Sequence, residues 1–372
     1  MDKIKLAIVG CGFISDYHAK VFDDLKDKIE VVGTCAKHIE NAERVAKFLG
    51  AKYAVTDYKE LYDVADSFLI ALPHDLHYPV GMDVIGAGKH CLMEKPLALN
   101  EEECLKIIHL ADEKGVKLMV GYIMRFHPMV EKLKELIDNK TYGNFYQMSI
   151  WTEQYEWLPE GHWLAMAKPS GGGQFYTHGC HYIDLMLWMM GRPVKGTHMG
   201  TRLCTEWIEL EGTSNATFEF EDGRLGYHFG TWGAKGTRHS YCIHTFFEDG
   251  MVECCLNDGE MWLHQTVNPD NYSGGVGFYS EKSDPPQLIF TCDANSHLPI
   301  GEIEHFADCV INDEHPLCDG PGALQGNRVI WRMYEAAECN IVADLSGLGL
   351  EDEWDIPGLY KLPDPKGFVK LP

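Results

Sequence analysis

The sequence has little positive charge: 32 lysine and arginine residues stand against 56 aspartate and glutamate residues, a formal net charge of −24 over 372 residues. It has no basic run that could follow a phosphate backbone or an anionic bilayer. It also has no apolar stretch approaching the roughly 20 residues that span a membrane. We therefore expect neither nucleic acid nor a membrane as partner.

Paired cysteine spacing and a signal peptide are also missing. The 13 cysteines are odd in number and form no C-x-x-C motif, which is typical of reduced, buried thiols. The N-terminus lacks the apolar core and small-residue cleavage site of a leader, so we expect a cytoplasmic protein. We predict no metal site, because histidines 162, 178, 181, 297 and 305 lack spacing such as H-E-x-x-H.

The first 120 residues repeat a short apolar run, a polar or glycine-containing turn and an amphipathic helix. Runs that are hydrophobic throughout, rather than alternating, are typical of parallel strands covered by helices on both faces. These runs cover residues 5–10, 31–35, 67–72, 90–93 and 117–121. We predict an α/β fold, in which residues 1–124 form a doubly wound domain.

The pattern changes after about residue 125. Tyr, Trp, Thr and Phe alternate with other residues at 145–157, 216–220, 225–231 and 241–247, which indicates antiparallel strands and hairpins. Helices are expected near 178–190, 302–312 and 322–342. We predict an α+β domain over 125–372 with an open, largely antiparallel sheet, and expect the proline-rich tail at 352–372 to wrap over the surface without forming an element.

Gly10 and Gly12 follow the first apolar run, where a helix begins at Phe13 and Ile14. In a G-x-G-x-x-G loop the glycines permit a tight turn and a close approach of pyrophosphate, and the helix start adds its dipole. Ser15 stands in place of the third glycine. The context predicts a Rossmann dinucleotide-binding loop.

The end of the second strand lacks the acid that binds the ribose hydroxyls of NAD. Ala36 leaves room there, and Lys37 and Arg44 are cations that could contact a 2′-phosphate. An equal alternative is that Lys37 is a solvated turn residue. We therefore expect NAD(H) or NADP(H).

Glu94, Lys95 and Pro96 end an apolar strand at the carboxyl edge of the predicted sheet, where ligands of open α/β sheets bind. A lysine there could hold a substrate hydroxyl and favour its alkoxide through a charge-assisted hydrogen bond. The residues alone are equally compatible with a surface role for Lys95.

Several ordered motifs resemble those of the Gfo/Idh/MocA oxidoreductase superfamily, which includes glucose-fructose oxidoreductase and inositol dehydrogenase. They lie at 7–12 with His18, and at 73–77, 87–98, 122–128, 171–173 and 179–184, and span essentially the whole chain. The resemblance implies transfer of hydride between a nicotinamide cofactor and a secondary alcohol or ketone of a sugar, glycoside or cyclitol, including ring C3 of a glucoside. It also implies a homo-oligomer formed through the C-terminal sheet and, as in some members, a tightly bound cofactor.

On the same resemblance, Lys95 orients the substrate and His181 is the general acid/base, a role that suits an imidazole of near-neutral pKa. Thr177 stands where polyol dehydrogenases of the superfamily carry an aspartate, so His181 acts alone or with His178. Asp184 either contacts substrate, which we favour, or braces its helix. Implied substrate contacts are Thr177, His178, Asp184, Arg125 and Trp163, and implied cofactor contacts beyond the glycine loop are Leu72, Pro73, His74, His77, Glu94 and Lys95.

Two sets of alternatives stay open. Four aromatic residues, Trp151, Tyr155, Trp157 and Trp163, crowd the approach to the second glycine run, and they suit either a sugar face or a subunit contact. Two other functions would use the same fold: a redox-assisted glycosidase, and a nucleotide-binding sensor without catalysis.

Overall fold

The structure is a computed structural model that describes residues 3–265, 284–293 and 299–348 and a strand at 369–370. Its first sheet is parallel and has six strands. The strands are β1 (Ile4–Val9), β2 (Ile29–Cys35), β3 (Tyr53–Val55), β4 (Ser67–Ile70), β5 (His90–Met93) and β6 (Leu118–Val120). Their order is β3-β2-β1-β4-β5-β6. The order reverses beside β1, the switch point at which doubly wound sheets bind ligands, and it confirms the predicted Rossmann domain.

The helices of this domain are α1 (Phe13–Ala19), α2 (Ile39–Leu49), α3 (His77–Gly86) and α4 (Glu101–Lys114). The predicted start of α4 is present, since the Asn100 side chain accepts a hydrogen bond from the Glu103 N–H at 3.0 Å. Only Lys5 is exposed in β1, and all of β4 is buried. Because both faces of these strands are buried, their sequences are apolar throughout rather than alternating. The edge strand β3 is half-buried, and its apolar run of three residues is so short that it was not among the predicted strands.

The second sheet has ten strands and is largely antiparallel, as predicted. They are β7 (Phe145–Glu153), β8 (Pro193–Thr201), β9 (Thr213–Phe220), β10 (Leu225–Thr231), β11 (Tyr241–Phe247), β12 (Gly250–Cys255), β13 (Glu260–His264), β14 (Gln287–Thr291), β15 (Ile341–Asp344) and β16 (Val369–Lys370). Their order is β14-β13-β12-β11-β7-β10-β9-β8-β15-β16. The pair β7–β10 is parallel. β16 pairs with β15. The expectation that the tail at 352–372 forms no element is therefore wrong at residues 369 and 370, and residues 352–368 lie outside the described residues.

The second half also contributes helices, which cover one face of the second sheet and reach back to the first. They are α5 (Pro128–Asp138), α6 (Ala167–Ser170), α7 (Gln174–Thr177), α8 (Cys180–Met190), α9 (Ile300–Asn312) and α10 (Gly320–Glu338). The prediction of 322–342 was too long at its end because Asn340 adopts a positive φ of 54° and the chain turns into β15. Short 3-10 helices lie at Phe22–Leu25, Tyr58–Leu61, His74–Leu76, Ile123–Phe126 and Trp163–Ala165.

The chain crosses between the domains more than once. The chain enters the second domain at the 3-10 helix Ile123–Phe126. Helix α10 of that domain then packs against α4 of the first, and the Val120 N–H of the first sheet donates to the carbonyl of Cys318 at 2.8 Å. Lys28 pairs with Glu304 and Asp308 of α9 at 2.7 and 2.9 Å. The C-terminal helices therefore hold the two sheets in a fixed relation. No helix in the described part of the chain has the length and apolar character to cross a membrane.

Gly10→Ala is expected to lower the free energy of unfolding by about 1–3 kcal/mol, the usual cost of a strained backbone position. Gly10 has a φ of +98°, and an added Cβ would overlap the Ala71 carbonyl oxygen. Gly12→Ala is the matched control, because a Cβ at Gly12 meets open space. Thermal unfolding of both variants tests this, and equal losses of stability would contradict it.

Candidate active site

The glycine loop leaves the start of α1 open. The Gly10 N–H donates to the Cys35 carbonyl at 2.8 Å, and the Ser15 hydroxyl donates to the Gly10 carbonyl. Ser15 thus closes the turn from the position of the third glycine. Within the part of the chain that the structure describes, no side chain caps α1 after Gly12, and Phe13 is 83% exposed. Main-chain N–H groups at an uncapped helix start suit a pyrophosphate.

The cations near the second strand occupy different settings. Arg44 pairs with Asp16 at 2.7 Å and donates to the Cys11 carbonyl at 3.0 Å, so it braces the glycine loop. Lys37 is exposed, and Ala36 is buried at the end of β2.

The segment after β4 is held by buried histidines. The two ring nitrogens of His77 lie 2.8 Å from the Pro96 carbonyl and 2.9 Å from the Leu72 carbonyl. Nδ1 of His74 lies 2.8 Å from the Ser170 carbonyl. These rings tie the ends of β4 and β5 to each other and to α6, while Leu72 and Pro73 are half-buried at the sheet edge.

Glu94 forms a buried pair with His18, whose Nε2 lies 2.6 Å from Oε1. Burial alone would raise the pKa of Glu94, but the hydrogen bond with His18 and the charge of Lys95 lower it below its ordinary value. Glu94 is therefore a carboxylate beside the lysine.

Lys95 and His181 border one cavity of about 380 Å³ between the carboxyl edge of the first sheet and α8. Lys95 Nζ donates to the Thr177 carbonyl at 2.9 Å. The Thr177 hydroxyl donates to the Gly173 carbonyl at 2.8 Å and lies outside the cavity lining. The main chain of Thr177, rather than its side chain, therefore touches the site.

His181 is available for proton transfer. Its Nδ1 is buried and has no hydrogen-bond partner among the described residues. Burial, Lys95 and His178 together hold the pKa of His181 well below its ordinary value, so the ring is a neutral base at physiological pH.

His178 borders the same cavity but is engaged by neighbours. Its Nδ1 lies 3.3 Å from the Gln174 amide nitrogen, and its Nε2 lies 3.2 Å from the Tyr241 hydroxyl. Burial, Lys95 and His228 lower the pKa of His178 to about 3. It is a neutral wall of the cavity and positions Tyr241.

Arg125 and Asp184 lie outside the cavity lining. The guanidinium donates through Nε and Nη2 to both carboxylate oxygens, at 2.7 and 2.6 Å. Because both oxygens are engaged and the side chains are only 11% and 3% exposed, the structure favours the bracing role of Asp184 over the substrate contact that we expected.

The four aromatic residues do not gather at the glycine run as the sequence suggested. Trp151 stacks on His239 of the sheet's outer face, with ring centroids 5.4 Å apart, and Tyr155 contacts Trp207. Trp157 is exposed. Trp163 lies edge-on to His74, with centroids 4.8 Å apart, and is outside the cavity lining. Only Trp151 belongs to β7; Tyr155, Trp157 and Trp163 follow the end of that strand, and the last of them lies on a 3-10 helix.

Glu302 of α9 borders the cavity and was missed by sequence reasoning. It is 1% exposed, and its Oε1 has no hydrogen-bond partner in the described ranges. Burial and the nearby Glu94 raise the pKa of Glu302 well above its ordinary value, so it is a neutral acid. The available signal was an acidic residue on the same helix face as buried Ile303 and Phe306.

Together these features define a class: a two-domain, dinucleotide-dependent oxidoreductase with a lysine and a neutral histidine in a cavity at the sheet edge. Residues 4–122 match the Gfo/Idh/MocA oxidoreductase family with an NAD-binding Rossmann fold, and residues 130–253 match the Gfo/Idh/MocA C-terminal domain. The chain belongs to the Gfo/Idh/MocA family and is an NAD(P)-dependent oxidoreductase.

Similar proteins agree with this assignment. An uncharacterized oxidoreductase of Streptococcus pneumoniae serotype 4 is 30% identical over 287 residues, 72% of this chain and 76% of the relative. Glucose-6-phosphate 3-dehydrogenase of Bacillus subtilis is 28% identical over 194 residues, 50% of this chain and 53% of the relative. The structure of levoglucosan dehydrogenase with NADH has a TM-score of 0.80 at 16% identity, covering 92% of this chain and 99% of that one, and so shares the fold.

Asp184→Asn is expected to lower the free energy of unfolding by about 3–5 kcal/mol, because it leaves the buried Arg125 charge unpaired. The control is Asp222→Asn, which breaks the more exposed pair with Arg224 and should cost about 1 kcal/mol or less. Denaturant unfolding measures both. If Asp184→Asn keeps its stability and instead raises the KM for substrate, the bracing role is wrong.

Proposed function

We propose that this enzyme transfers hydride between a nicotinamide dinucleotide and a secondary alcohol of an uncharged sugar or glycoside, at ring C3 of a glucoside. One observation carries the proposal. Lys95 and His181, contributed by different domains, border the same cavity beside the dinucleotide loop, and His181 has no competing hydrogen bond among the described residues.

The dinucleotide, when bound, supplies the acceptor for the hydride. The open start of α1 fits its pyrophosphate, since Gly10 makes the tight turn, Gly12 leaves room for close approach, and Phe13 and Ile14 begin the helix. Leu72 and Pro73 follow β4 at the switch point, where a dinucleotide crosses the sheet edge. The residues of this chain therefore fit the cofactor of the family.

The proton of the substrate hydroxyl goes to a ring nitrogen of His181. A neutral imidazole accepts it as hydride leaves the same carbon, and the imidazolium returns it in the reverse reaction. The Lys95 ammonium donates a hydrogen bond to the substrate oxygen and stabilises its developing negative charge. It keeps its bond to the Thr177 carbonyl at 2.9 Å, which holds it in place.

The charges of the lining favour an uncharged substrate. Among the described lining residues the one lysine is balanced by Glu94, and arginine is absent. A phosphate group would meet no further lysine or arginine among the described lining residues. Asn257, Tyr241 and Glu302 offer polar groups for sugar hydroxyls. The name of glucose-6-phosphate 3-dehydrogenase supports a sugar substrate and C3 as the position, whereas the phosphate of that relative's substrate is the group that the lining of this cavity does not favour.

An aryl glucoside should reduce added NAD or NADP with its aglycone still attached. The near-ultraviolet absorbance of reduced nicotinamide and chromatography of the sugar product measure this. The uncharged glucoside should have a higher kcat/KM than its 6-phosphate. Release of free aglycone would contradict our proposal and indicate a redox-assisted glycosidase. If no glycoside changes the nucleotide spectrum, oxidation of this substrate class is refuted.

His181→Asn and Lys95→Met should each lower kcat by about 10²- to 10⁴-fold, the usual contribution of a positioned acid/base group. His198→Gln is the control, since His198 is another buried histidine, with its pKa lowered by burial to about 4, and is outside the cavity lining. Steady-state kinetics and dinucleotide titration measure the effects. Activity within a few-fold of the parent in the His181 variant would contradict its role.

A further inference from the structure

A second group of reactive side chains lies on the outer face of the ten-stranded sheet. His239 precedes β11, Cys242 and His244 lie on β11, and Glu253 lies opposite His244 on β12. One ligand atom from each of the four lies within 4.8 Å of the others. All four are buried or half-buried, so the group is a shielded cluster at the sheet surface.

The donor set matches a transition metal of zinc type. Two imidazoles, a thiolate and a carboxylate are ligands that zinc accepts in four-coordinate sites. Bonds of about 2.0–2.3 Å in a tetrahedron place ligand atoms about 3.3–3.8 Å apart. His244 Nε2 and Glu253 Oε1 are already 3.2 Å apart, so the widest pair needs to close by about 1 Å. Thiolate and carboxylate together neutralise a divalent ion.

Neighbouring residues hold three of these ligands in place. His264 Nε2 lies 2.8 Å from Glu253 Oε2, which leaves Oε1 directed toward His244. The Trp151 ring stacks on His239 at an interplanar angle of 26° and packs against His244 with centroids 4.6 Å apart. Outer partners that orient ligand side chains in this way are typical of protein metal sites.

We propose that His239, Cys242, His244 and Glu253 bind one Zn²⁺ ion in a closed structural site. This goes beyond the proposed function and replaces the expectation of no metal site. That expectation missed the group because its ligands come from a loop and two strands, and His239 and His244 were not among the histidines whose spacing it weighed.

The site has a consequence for the cavity on the other face of the sheet. Tyr241 lies between the ligands His239 and Cys242 in sequence, and its side chain reaches His178 at 3.2 Å. Successive strand residues point to opposite faces. A metal bound to the outer residues therefore fixes the strand that carries Tyr241 into the active-site wall.

The test uses the full chain, reduced and treated with a chelator, and then titrated with Co²⁺ as a spectroscopic probe. We expect one cobalt per chain, intense ligand-field bands typical of tetrahedral cobalt and a thiolate charge-transfer band. Zn²⁺ should displace the cobalt and raise the Tm. A wild-type chain that binds no cobalt or zinc stoichiometrically, or that gives only the weak spectrum of octahedral cobalt, overturns the proposal.

Variants assign the ligands. Cys242→Ser should abolish the charge-transfer band, whereas Cys255→Ser should keep it, because Cys255 faces Cys242 across the strands and is outside the cluster. Glu253→Gln should lose stoichiometric zinc binding, and His264→Gln should weaken it about 10- to 100-fold. Persistence of the band in Cys242→Ser, or its loss only in Cys255→Ser, refutes the assignment. Hydride transfer enters none of these readouts, so failure of either proposal leaves the other standing.

Discussion

The active site depends on the ammonium of Lys95. Lys95 follows β5 at the edge of the first sheet, and its Nζ donates to the Thr177 carbonyl of the second domain. One hydrogen bond therefore joins the two halves of the cavity. The charge of Lys95 acts on each neighbour in a low-dielectric setting. Burial lowers the pKa of His178 and of His181, and the charge of Lys95 lowers both further; with the hydrogen bond from His18, the same charge lowers the pKa of Glu94. Burial and this cation together leave the two histidines as neutral bases, and His18 and the cation together keep Glu94 a carboxylate.

That arrangement requires the domains to keep their relative position. Arg328 of α10 forms a buried ion pair with Glu101 of α4 and so joins the two domains. Buried ion pairs contribute little net stability, but breaking one is costly. Such pairs penalise any packing in which the domains shift. Lys95 and His181 can therefore meet although they belong to separate folding units.

The sequence was informative wherever a property is local. Continuous apolar runs predicted the parallel sheet, alternation predicted the second sheet, and Asn100 marked a helix start. Partners distant in the chain were beyond such reasoning: both oxygens of Asp184 are engaged by Arg125, and Glu302 reaches the cavity only after α9 packs. The outer cluster likewise exists only once β11 and β12 are in register, because cross-strand pairing brings His244 opposite Glu253.

The threonine at position 177 adds no charge to the surroundings of Lys95 and His181, whose pKa burial already lowers. A carboxylate there would lie near Lys95 and offset its charge, which would raise the pKa of His181. The Thr177 hydroxyl instead donates to the Gly173 carbonyl and is uncharged. No charge at position 177 therefore offsets the effect of Lys95 on the pKa of the imidazole. Glu302 does not replace the missing charge, since burial and Glu94 keep it protonated. His181 is thus a neutral base that borders the same cavity as the lysine, and its Nδ1 has no hydrogen bond to give up among the described residues, so alcohol oxidation begins from the protonation state it requires.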